Sequence, residues 1–179
     1  MWAVETGRVP AAADGATEVR IDVPSGRVLA RVHIQAGRVT AVDFVNVRAT
    51  CHAKHPSDDR LSGIDGTVVF DELGTTEDGW LHQRNVTIFA DGEVDRSPCG
   101  SGSAARVAVL TARGELGPGQ ALVHDSIVGS SLTCRVFDSL TVDGHPAVIP
   151  QITGMAYRCG ASEFTLDPCD PFVAGFVLP

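Results

Sequence analysis

The sequence predicts an α+β fold in which an antiparallel sheet surrounds a single helix. Polar and apolar residues alternate throughout Thr17–Val23, the pattern of a half-buried strand. Short runs of the same kind are separated by turn signals such as Pro24-Ser25-Gly26 and Ala36-Gly37. Only Ser103–Arg113 is long, rich in Ala and free of Gly and Pro, as a helix requires. Many short strands with one helix indicate the α+β class.

The first half of the chain reads as a meander. Arg27–Ile34 and Val39–Val47 follow the first strand after short turns, so the three are expected to pair antiparallel. Residues 48–66 are mostly polar and follow neither the strand nor the helix period, which makes them the predicted lobe boundary.

The second half contains the helix between further strands. Thr67–Phe70 and Asn85–Ala90 are predicted strands around a polar loop. Ser101 or Ser103 could cap the start of the helix, and Gly114 stands where a C′ glycine belongs. Five short strands are predicted beyond it: Ser126–Gly129, Leu132–Phe137, Ala147–Ile149, Met155–Tyr157 and Glu163–Leu166.

Composition excludes several classes of partner. The chain has 179 residues and a net charge of −8 without a basic run, which argues against a nucleic-acid partner. No apolar run approaches the ~18 residues of a membrane span, and Met1–Gly7 lacks the pattern of a signal peptide. We therefore expect a cytoplasmic protein without a membrane or nucleic-acid partner.

The cysteines indicate neither a disulfide framework nor a metal site. There are five, an odd number, and none of them form a C-x-x-C pair. Cys51, His52 and His55 are the nearest approach to a ligand set, but three residues on one polar stretch without a fourth are more typical of solvated side chains. We expect no metal.

The chemistry of the sequence is concentrated at Cys99. The segment Pro98-Cys99-Gly100-Ser101-Gly102 leads directly into the predicted helix, whose first N–H groups and dipole favour an ionised thiol. Two glycines would let a ligand approach the backbone, and the amides of Gly100 and Ser101 are suited to a carboxylate. Asp95 could accept a hydrogen bond from the nitrogen of an amino-acid substrate.

The residues alone leave a structural alternative open. A lone cysteine in a Gly/Ser loop is often structural, and the segment matches neither a Walker A motif nor a nucleophile elbow. A reactive thiol and a structural one are therefore both compatible with the pattern.

The run from Asp95 to Arg106, DRSPCGSGSAAR, resembles the second-cysteine signature of the proline racemase family, which includes hydroxyproline 2-epimerases and trans-3-hydroxyproline dehydratases. Further segments agree with that family in the same order: Val4–Pro10, Asp22–Gly26, Phe44–Val47, His55-Pro56 with Gly63–Gly66, Ser126–Gly129, Val148–Gly154, and Asp167–Pro171 with Gly175-Phe176.

The resemblance implies a fold like that of diaminopimelate epimerase, with the substrate between two similar lobes. It implies chemistry without a cofactor, in which one cysteine removes the α-proton of proline or hydroxyproline and a second cysteine returns one. Cys99 would take the second of these roles, Gly100 and Ser101 would bind the substrate carboxylate, and Asp95 would contact its nitrogen. A cysteine at position 99 resembles the racemases and epimerases, because the dehydratases commonly have threonine there.

Two parts of the family pattern are missing. The first signature, Met-Cys-Gly-His, does not occur, and a long block is absent between Asn46-Val47 and His55-Pro56. The resemblance therefore describes a truncated, internally deleted member: residues 1–50 as the remnant of a first lobe, 51–166 as the second lobe with Cys99, and 167–179 as a closing segment. Cys134 and Cys159, in strand-like runs, are expected to be buried, and Cys169 has no basic neighbour, so none replaces the missing base.

Three hypotheses follow from this partial match. The chain is an isomerase that is impaired on its own, a carboxylate-binding subunit whose partner chain supplies the first cysteine, or a degenerate fragment. Dimerisation is compatible with all three. The sequence does not choose among proline, 4-hydroxyproline and 3-hydroxyproline.

Overall fold

A computed structural model describes residues 7, 9–23, 26–45, 66–89, 92–142 and 144–171. Within these ranges the chain forms eight strands and one helix, α1. The strands are β1 (Gly15–Val23), β2 (Gly26–Gln35), β3 (Arg38–Val45), β4 (Gly66–Thr75), β5 (Leu81–Phe89), β6 (Leu122–Ser126), β7 (Ser131–Val142) and β8 (His145–Gly154), and α1 spans Gly100–Ala112. The α+β class is compatible with this content.

The strands form one continuous sheet in the order β1-β2-β3-β8-β7-β6-β5-β4. All neighbours are antiparallel except β5 and β6, which run parallel. Helix α1 lies between these two strands in the chain, and a helical crossover is the usual way to join parallel neighbours. The sheet is therefore antiparallel, as predicted, apart from this one pair.

The junction between β3 and β8 joins the two ends of the described chain. Val42 to Val45 pair antiparallel with Gln151 to Gly154, so the N-terminal meander and the helix-bearing part share one sheet. The predicted lobe boundary, residues 48–66, lies outside the described residues apart from Gly66. The three-part division of the chain therefore stays a prediction.

Two hydrophobic cores stabilise this sheet. The larger core surrounds α1 and consists of Ala104, Val107, Ala108, Leu110, Leu116, Leu122, Cys134, Val148 and Ile152. The smaller lies on the meander and consists of Ala30, Val32, Ile34, Val39 and Val42. Because the helix contributes four residues to the larger core, its packing fixes where its N-terminus lies relative to β5 and β6.

Helix α1 begins earlier than predicted. Its first residue is Gly100 and its N-cap is Cys99, whereas the sequence suggested Ser101 or Ser103 as the cap. The reason is that the Cys99 sulfur, and not a serine hydroxyl, accepts the hydrogen bond from the Gly102 amide. The predicted end is confirmed, since Gly114 has a φ of +72° directly after the C-cap Arg113.

Three predicted strands are wrong. Ser126–Gly129 is a turn in which the Gly129 amide donates to the Ser126 carbonyl, and the strand before it, β6, ends at Ser126. Met155–Tyr157 and Glu163–Leu166 form no strand and are exposed, with Phe164 at 89% of its full accessibility. Their alternating pattern meets no strand partner within the described part of the chain, so no ladder forms.

None of the described residues belongs to a helix long and apolar enough to cross a bilayer.

The larger core provides a test of the fold. Leu110 is completely buried against β8 and β7 neighbours, whereas Leu166 is 76% exposed. We expect Leu110→Ala to lower the free energy of unfolding by about 2–5 kcal/mol because it opens a cavity. The matched Leu166→Ala variant should stay within about 0.5 kcal/mol of the wild type in urea denaturation. Equal stability of the two variants would contradict the packing of α1 described above.

Candidate active site

Cys99 lies at the N-terminus of α1, in the left-handed region of backbone space with φ 58° and ψ 107°. Its Sγ accepts a hydrogen bond from the Gly102 amide at 3.4 Å and lies 3.4 Å from the Ser101 hydroxyl. The residue is 5% exposed. The sulfur is therefore covered, but by polar groups of the first helical turn and not only by the apolar core.

The loop before Cys99 is ordered by two successive side-chain turns. The Asp95 amide donates to the Thr87 carbonyl on β5 at 2.9 Å, which ties the loop to the sheet. Asp95 Oδ1 accepts from the Ser97 amide at 2.8 Å, and Ser97 Oγ accepts from the Cys99 amide at 3.1 Å. Asp95 thus lies on the same loop as Cys99, with one carboxylate oxygen used to shape that loop.

The backbone amides of Gly100 and Ser101 lie at the open end of the helix. Within α1 the Ser103 amide is bonded to the Cys99 carbonyl at 2.8 Å, and the Gly102 amide is bonded to Sγ. The two preceding amides are at positions that have no acceptor inside a helix. Both residues are exposed, and nothing lies within 4 Å of the place where a Cβ on Gly100 would be. The arrangement suits an anion bound at the helix N-terminus.

The second glycine has a different role. A Cβ at Gly102 would lie 2.9 Å from Val68 Cγ2 and 3.3 Å from both Cys99 Sγ and Thr87 Oγ1. We expected both glycines to leave room for a ligand. Only Gly100 has open space around it, so the expectation is wrong for Gly102. Gly102 allows β4 and β5 to pack directly against the first turn of the helix.

Three buried polar side chains lie behind the loop, and the sequence analysis missed their contacts. Asn85 Nδ2 and Ser103 Oγ both donate to the Pro98 carbonyl, at 3.1 and 3.0 Å. His124 Nδ1 lies 2.8 Å from Ser103 Oγ. A signal was present in the sequence, because Gln83, Asn85 and Thr87 occupy alternate positions of one strand and so share one face.

His124 is neutral at physiological pH. Burial lowers its pKa to about 4, and the Arg106 charge acts in the same direction, although Asp125 opposes both. Its Nε2, together with Asn85 Oδ1 and Thr87 Oγ1, has no hydrogen-bond partner among the described residues.

Arg106 is the buried member of an ion network whose carboxylate, Glu72, is 59% exposed. Arg106 is 8% exposed, and its Nε donates to Gln83 Oε1 at 3.0 Å while its Nη2 lies 3.4 Å from Glu72 Oε1. The ring of Phe70 lies 3.8 Å from the guanidinium carbon. Burial lowers the pKa of Arg106, and the nearby Glu72 charge counteracts it. The network connects α1 with β4 and β5.

None of the other described cysteines belongs to this loop, although Cys134 is hydrogen-bonded to Ser103 behind it. Cys134 is fully buried in β7, as expected, and burial raises the pKa of its thiol to about 12. Cys159 is exposed in an irregular segment, so the expectation of a buried strand residue is wrong there. Cys169 is exposed as well. Cys51 and the two histidines near it lie outside the described residues, and no described group of three His, Cys, Asp or Glu residues could hold a metal ion.

A cavity of about 500 Å³ lies elsewhere in the described part, and its polar lining includes His33, Asp43, Arg135 and Thr153. Burial raises the pKa of Asp43, but hydrogen bonds from Thr153 at 2.6 Å and His33 at 2.8 Å outweigh it and leave the pKa below its usual value. This cavity contains none of the residues that the sequence singled out.

Comparison with known proteins finds relatives for the part of the chain that contains this loop. A family model described as proline racemase matches residues 46–177. The chain is 42% identical over 132 residues to a trans-3-hydroxy-L-proline dehydratase of Bacillus thuringiensis, which covers 74% of this chain and 39% of that protein. It is 42% identical over 136 residues to a 3-hydroxyproline 2-epimerase of Burkholderia multivorans, covering 74% and 40%. It is 36% identical over 148 residues to a proline racemase of Clostridioides difficile, covering 80% and 43%.

Two solved structures are similar to the whole described fold. A probable proline racemase from Agrobacterium radiobacter K84, with bound carbonate, superposes with a TM-score of 0.80 at 25% identity and covers 98% of this chain and 68% of that one. A hydroxyproline epimerase from Agrobacterium vitis, with bound trans-4-OH-L-proline, superposes with a TM-score of 0.76 at 25% identity and covers 99% and 67%. The chain thus spans less than half the length of the three sequence relatives and about two thirds of each solved structure.

The two glycines of the loop provide a matched pair of variants. Gly102→Ala forces Val68 or the Cys99 side chain to move, so we expect a loss of about 1–3 kcal/mol in the free energy of unfolding. Gly100→Ala places its methyl group in open space and should change stability by no more than about 0.5 kcal/mol. Chemical denaturation measures both, and a tolerant Gly102 with a sensitive Gly100 would contradict the packing of this turn.

Proposed function

The chain belongs to the proline racemase family, and we propose that it carries one of the two proton-transfer half-sites of a racemase or epimerase that acts on proline or hydroxyproline without a cofactor. The observation that carries the proposal is the position of Cys99 Sγ at the N-terminus of α1, next to the open amides of Gly100 and Ser101. The family relationship supports the substrate class, since the relatives are named for proline, 3-hydroxyproline and 4-hydroxyproline.

The proposed reaction is proton transfer at the α-carbon. The thiolate of Cys99 takes the α-proton, so that an S–H bond forms as the C–H bond breaks, and the electron pair is delocalised into the substrate carboxylate. The amides of Gly100 and Ser101 donate to the carboxylate oxygens, where the negative charge increases, and such donors lower the barrier most where charge develops. Asp95 accepts a hydrogen bond from the ring nitrogen. In the reverse direction the Cys99 thiol returns the proton.

Inversion needs a second group on the other side of the substrate. A donor and an acceptor must each lie within hydrogen-bond reach of the α-carbon, on opposite faces. Cys134 is buried, with the pKa of its thiol raised to about 12, and Cys159 and Cys169 are exposed in the segment after β8. The sequence contains no Met-Cys-Gly-His. The proposal therefore assigns Cys99 one half of the proton transfer and leaves the chain impaired on its own.

The type of reaction is narrowed by the residue at position 99. Identity does not separate the activities, since a dehydratase and an epimerase are each 42% identical to this chain. In the family that this chain resembles, a cysteine at the position of Cys99 is typical of racemases and epimerases, whereas dehydratases commonly have threonine there. Cys99 thus favours isomerisation over dehydration.

A binding subunit is the second candidate. A chain that has the carboxylate-binding amides but lacks the first signature could serve a partner chain, or a second copy of itself, that completes the site.

Both proposals share the same expectations about architecture. We propose a fold like that of diaminopimelate epimerase, with lobes at residues 1–50 and 51–166 and a closing segment at residues 167–179. We place the protein in the cytoplasm.

Reactivity of the thiol tests the half-site. We expect iodoacetamide to modify Cys99 at pH 7, as followed by mass spectrometry, because its sulfur lies among the polar groups of the helix start. Saturating pyrrole-2-carboxylate, a planar mimic of the deprotonated substrate, should slow modification of Cys99 about tenfold and leave Cys159 and Cys169 unchanged. A Cys99 that is inert at neutral pH, or unprotected by the mimic, refutes the half-site.

Turnover by the isolated chain tests the missing partner. We expect the purified 179-residue chain to invert L-proline or trans-4-hydroxy-L-proline at least about 100-fold more slowly than a full-length family enzyme, because one member of the acid/base pair is lacking. Polarimetry or chiral chromatography measures the rate, with Cys99→Ala as the blank. Inversion at a rate comparable to the full-length enzyme that disappears in Cys99→Ala would show that the chain is complete by itself.

A further inference from the structure

We propose that Ser103 and His124 are positioning residues for Cys99, acting through the Pro98 carbonyl to hold the sulfur at the N-terminus of α1. This inference rests on the proposed role of Cys99, and it names residues that the resemblance did not assign. Neither side chain touches the open end of the helix, so both act through the backbone of the loop.

The need for such support follows from the conformation of Cys99. Among the described residues other than glycine, only Ala36 and Cys99 have a positive φ, 51° and 58°. Ala36 lies in the tight turn between β2 and β3, where left-handed residues are common. Cys99 is in no hairpin, and a left-handed cysteine persists only where its surroundings hold it there.

The peptide between Pro98 and Cys99 is held at both ends. Its carbonyl oxygen accepts hydrogen bonds from Asn85 Nδ2 at 3.1 Å and from Ser103 Oγ at 3.0 Å, and its N–H donates to Ser97 Oγ at 3.1 Å. Because the peptide is planar, three bonds on its two ends fix its orientation. The plane fixes the N–Cα bond of Cys99, about which φ rotates. The Ser103 amide holds the Cys99 carbonyl at 2.8 Å and the Gly102 amide holds Sγ at 3.4 Å, so the hydrogen bonds on both sides of the residue together set φ and the position of the sulfur.

The tautomer of His124 determines which acceptor the Ser103 hydroxyl can donate to. A hydroxyl has one proton, and Ser103 uses it toward the Pro98 carbonyl. At 2.8 Å, His124 must then donate from Nδ1–H to Ser103 Oγ, which leaves Nε2 without a proton. With the other tautomer Ser103 would turn toward His124 and release the carbonyl.

The surroundings of His124 favour the neutral ring that this arrangement uses. Ser103 and Arg106 face it from α1, and the neighbouring residue on β6 is Asp125. Cys134 on β7 is uncharged, since burial raises the pKa of its thiol to about 12. Gln83, a neutral side chain, is the register partner of His124 on β5. The ring is completely buried, so a charge on it would be strongly disfavoured.

Substitutions at Ser103 test the inference with a rescue. Ser103→Ala removes the hydroxyl, and we expect modification of Cys99 at pH 7 to slow about tenfold, because the sulfur loses its fixed position at the helix N-terminus. Ser103→Thr keeps the hydroxyl and should restore the wild-type rate. Thr111→Ala is the matched control, since its hydroxyl bonds only the Val107 carbonyl inside the helix, at 2.8 Å.

The fold of each variant is monitored by circular dichroism and urea denaturation, since Cys134 is itself hydrogen-bonded to Ser103 and would respond to the substitution directly. Should Ser103→Ala unfold the protein, the histidine pair decides: His124→Leu should slow modification of Cys99, and His124→Asn, which retains a donor, should slow it less. A Cys99 that is modified at the wild-type rate in a folded Ser103→Ala variant, or in His124→Leu where the alanine variant unfolds, overturns the positioning role. If modification slows and threonine restores it while pyrrole-2-carboxylate never protects Cys99, the positioning role stands and the proposed function fails.

Discussion

The candidate site depends on one fixed peptide, that between Pro98 and Cys99. Its carbonyl is bound by Asn85 from β5 and by Ser103 from α1, so a single oxygen joins the sheet, the loop and the helix. The larger core fixes α1 against the sheet, and this peptide then sets the direction in which the chain enters the helix. The sulfur position and the two open amides are both consequences of that direction, because they belong to the next three residues of the chain.

The same constraint explains why the sheet buries polar side chains beside the helix. Polar groups are costly to bury without partners. On β5, Gln83 is bonded to Arg106 and Asn85 to the loop carbonyl, so each has a specific use. Thr87 Oγ1, Asn85 Oδ1 and His124 Nε2 have no partner in the described part, and the first two belong to residues that contact the loop or its first turn. Strand β5 therefore has less apolar contact with α1, but its polar side chains fix the start of the helix by hydrogen bonds that apolar side chains could not form.

The sequence predicted the parts of the fold that local patterns control. The alternation of β1, the body of the helix and its Gly114 end follow from period, propensity and backbone freedom. The place of Cys99 just before the helix follows from them as well, although the cap itself was assigned to a serine. It could not predict which face of β5 is buried, because alternation marks two faces and Val86 and Ile88 look like the inner one, although Ile88 is 38% exposed. Strand β6 was not predicted for a similar reason, because its polar residues His124 and Asp125 interrupt the apolar pattern of a strand. The exposed apolar residues after β8 show the opposite error, since a strand pattern forms no strand without a neighbour to pair with.

Binding and inversion are separable properties of such a site. Under our proposal, carboxylate recognition uses amides of one helical turn, whose geometry depends only on groups within the described sheet and helix. Under the same proposal, inversion depends on a second acid on the opposite face of the substrate, which α1 would not supply, because Cys99, Gly100 and Ser101 would all contact the ligand from one side. A half-site built on one helix N-terminus can therefore retain its ligand and its reactive thiol in full while lacking turnover. For this reason the reactivity of the Cys99 thiol reports on the architecture of α1 more directly than the rate of inversion does.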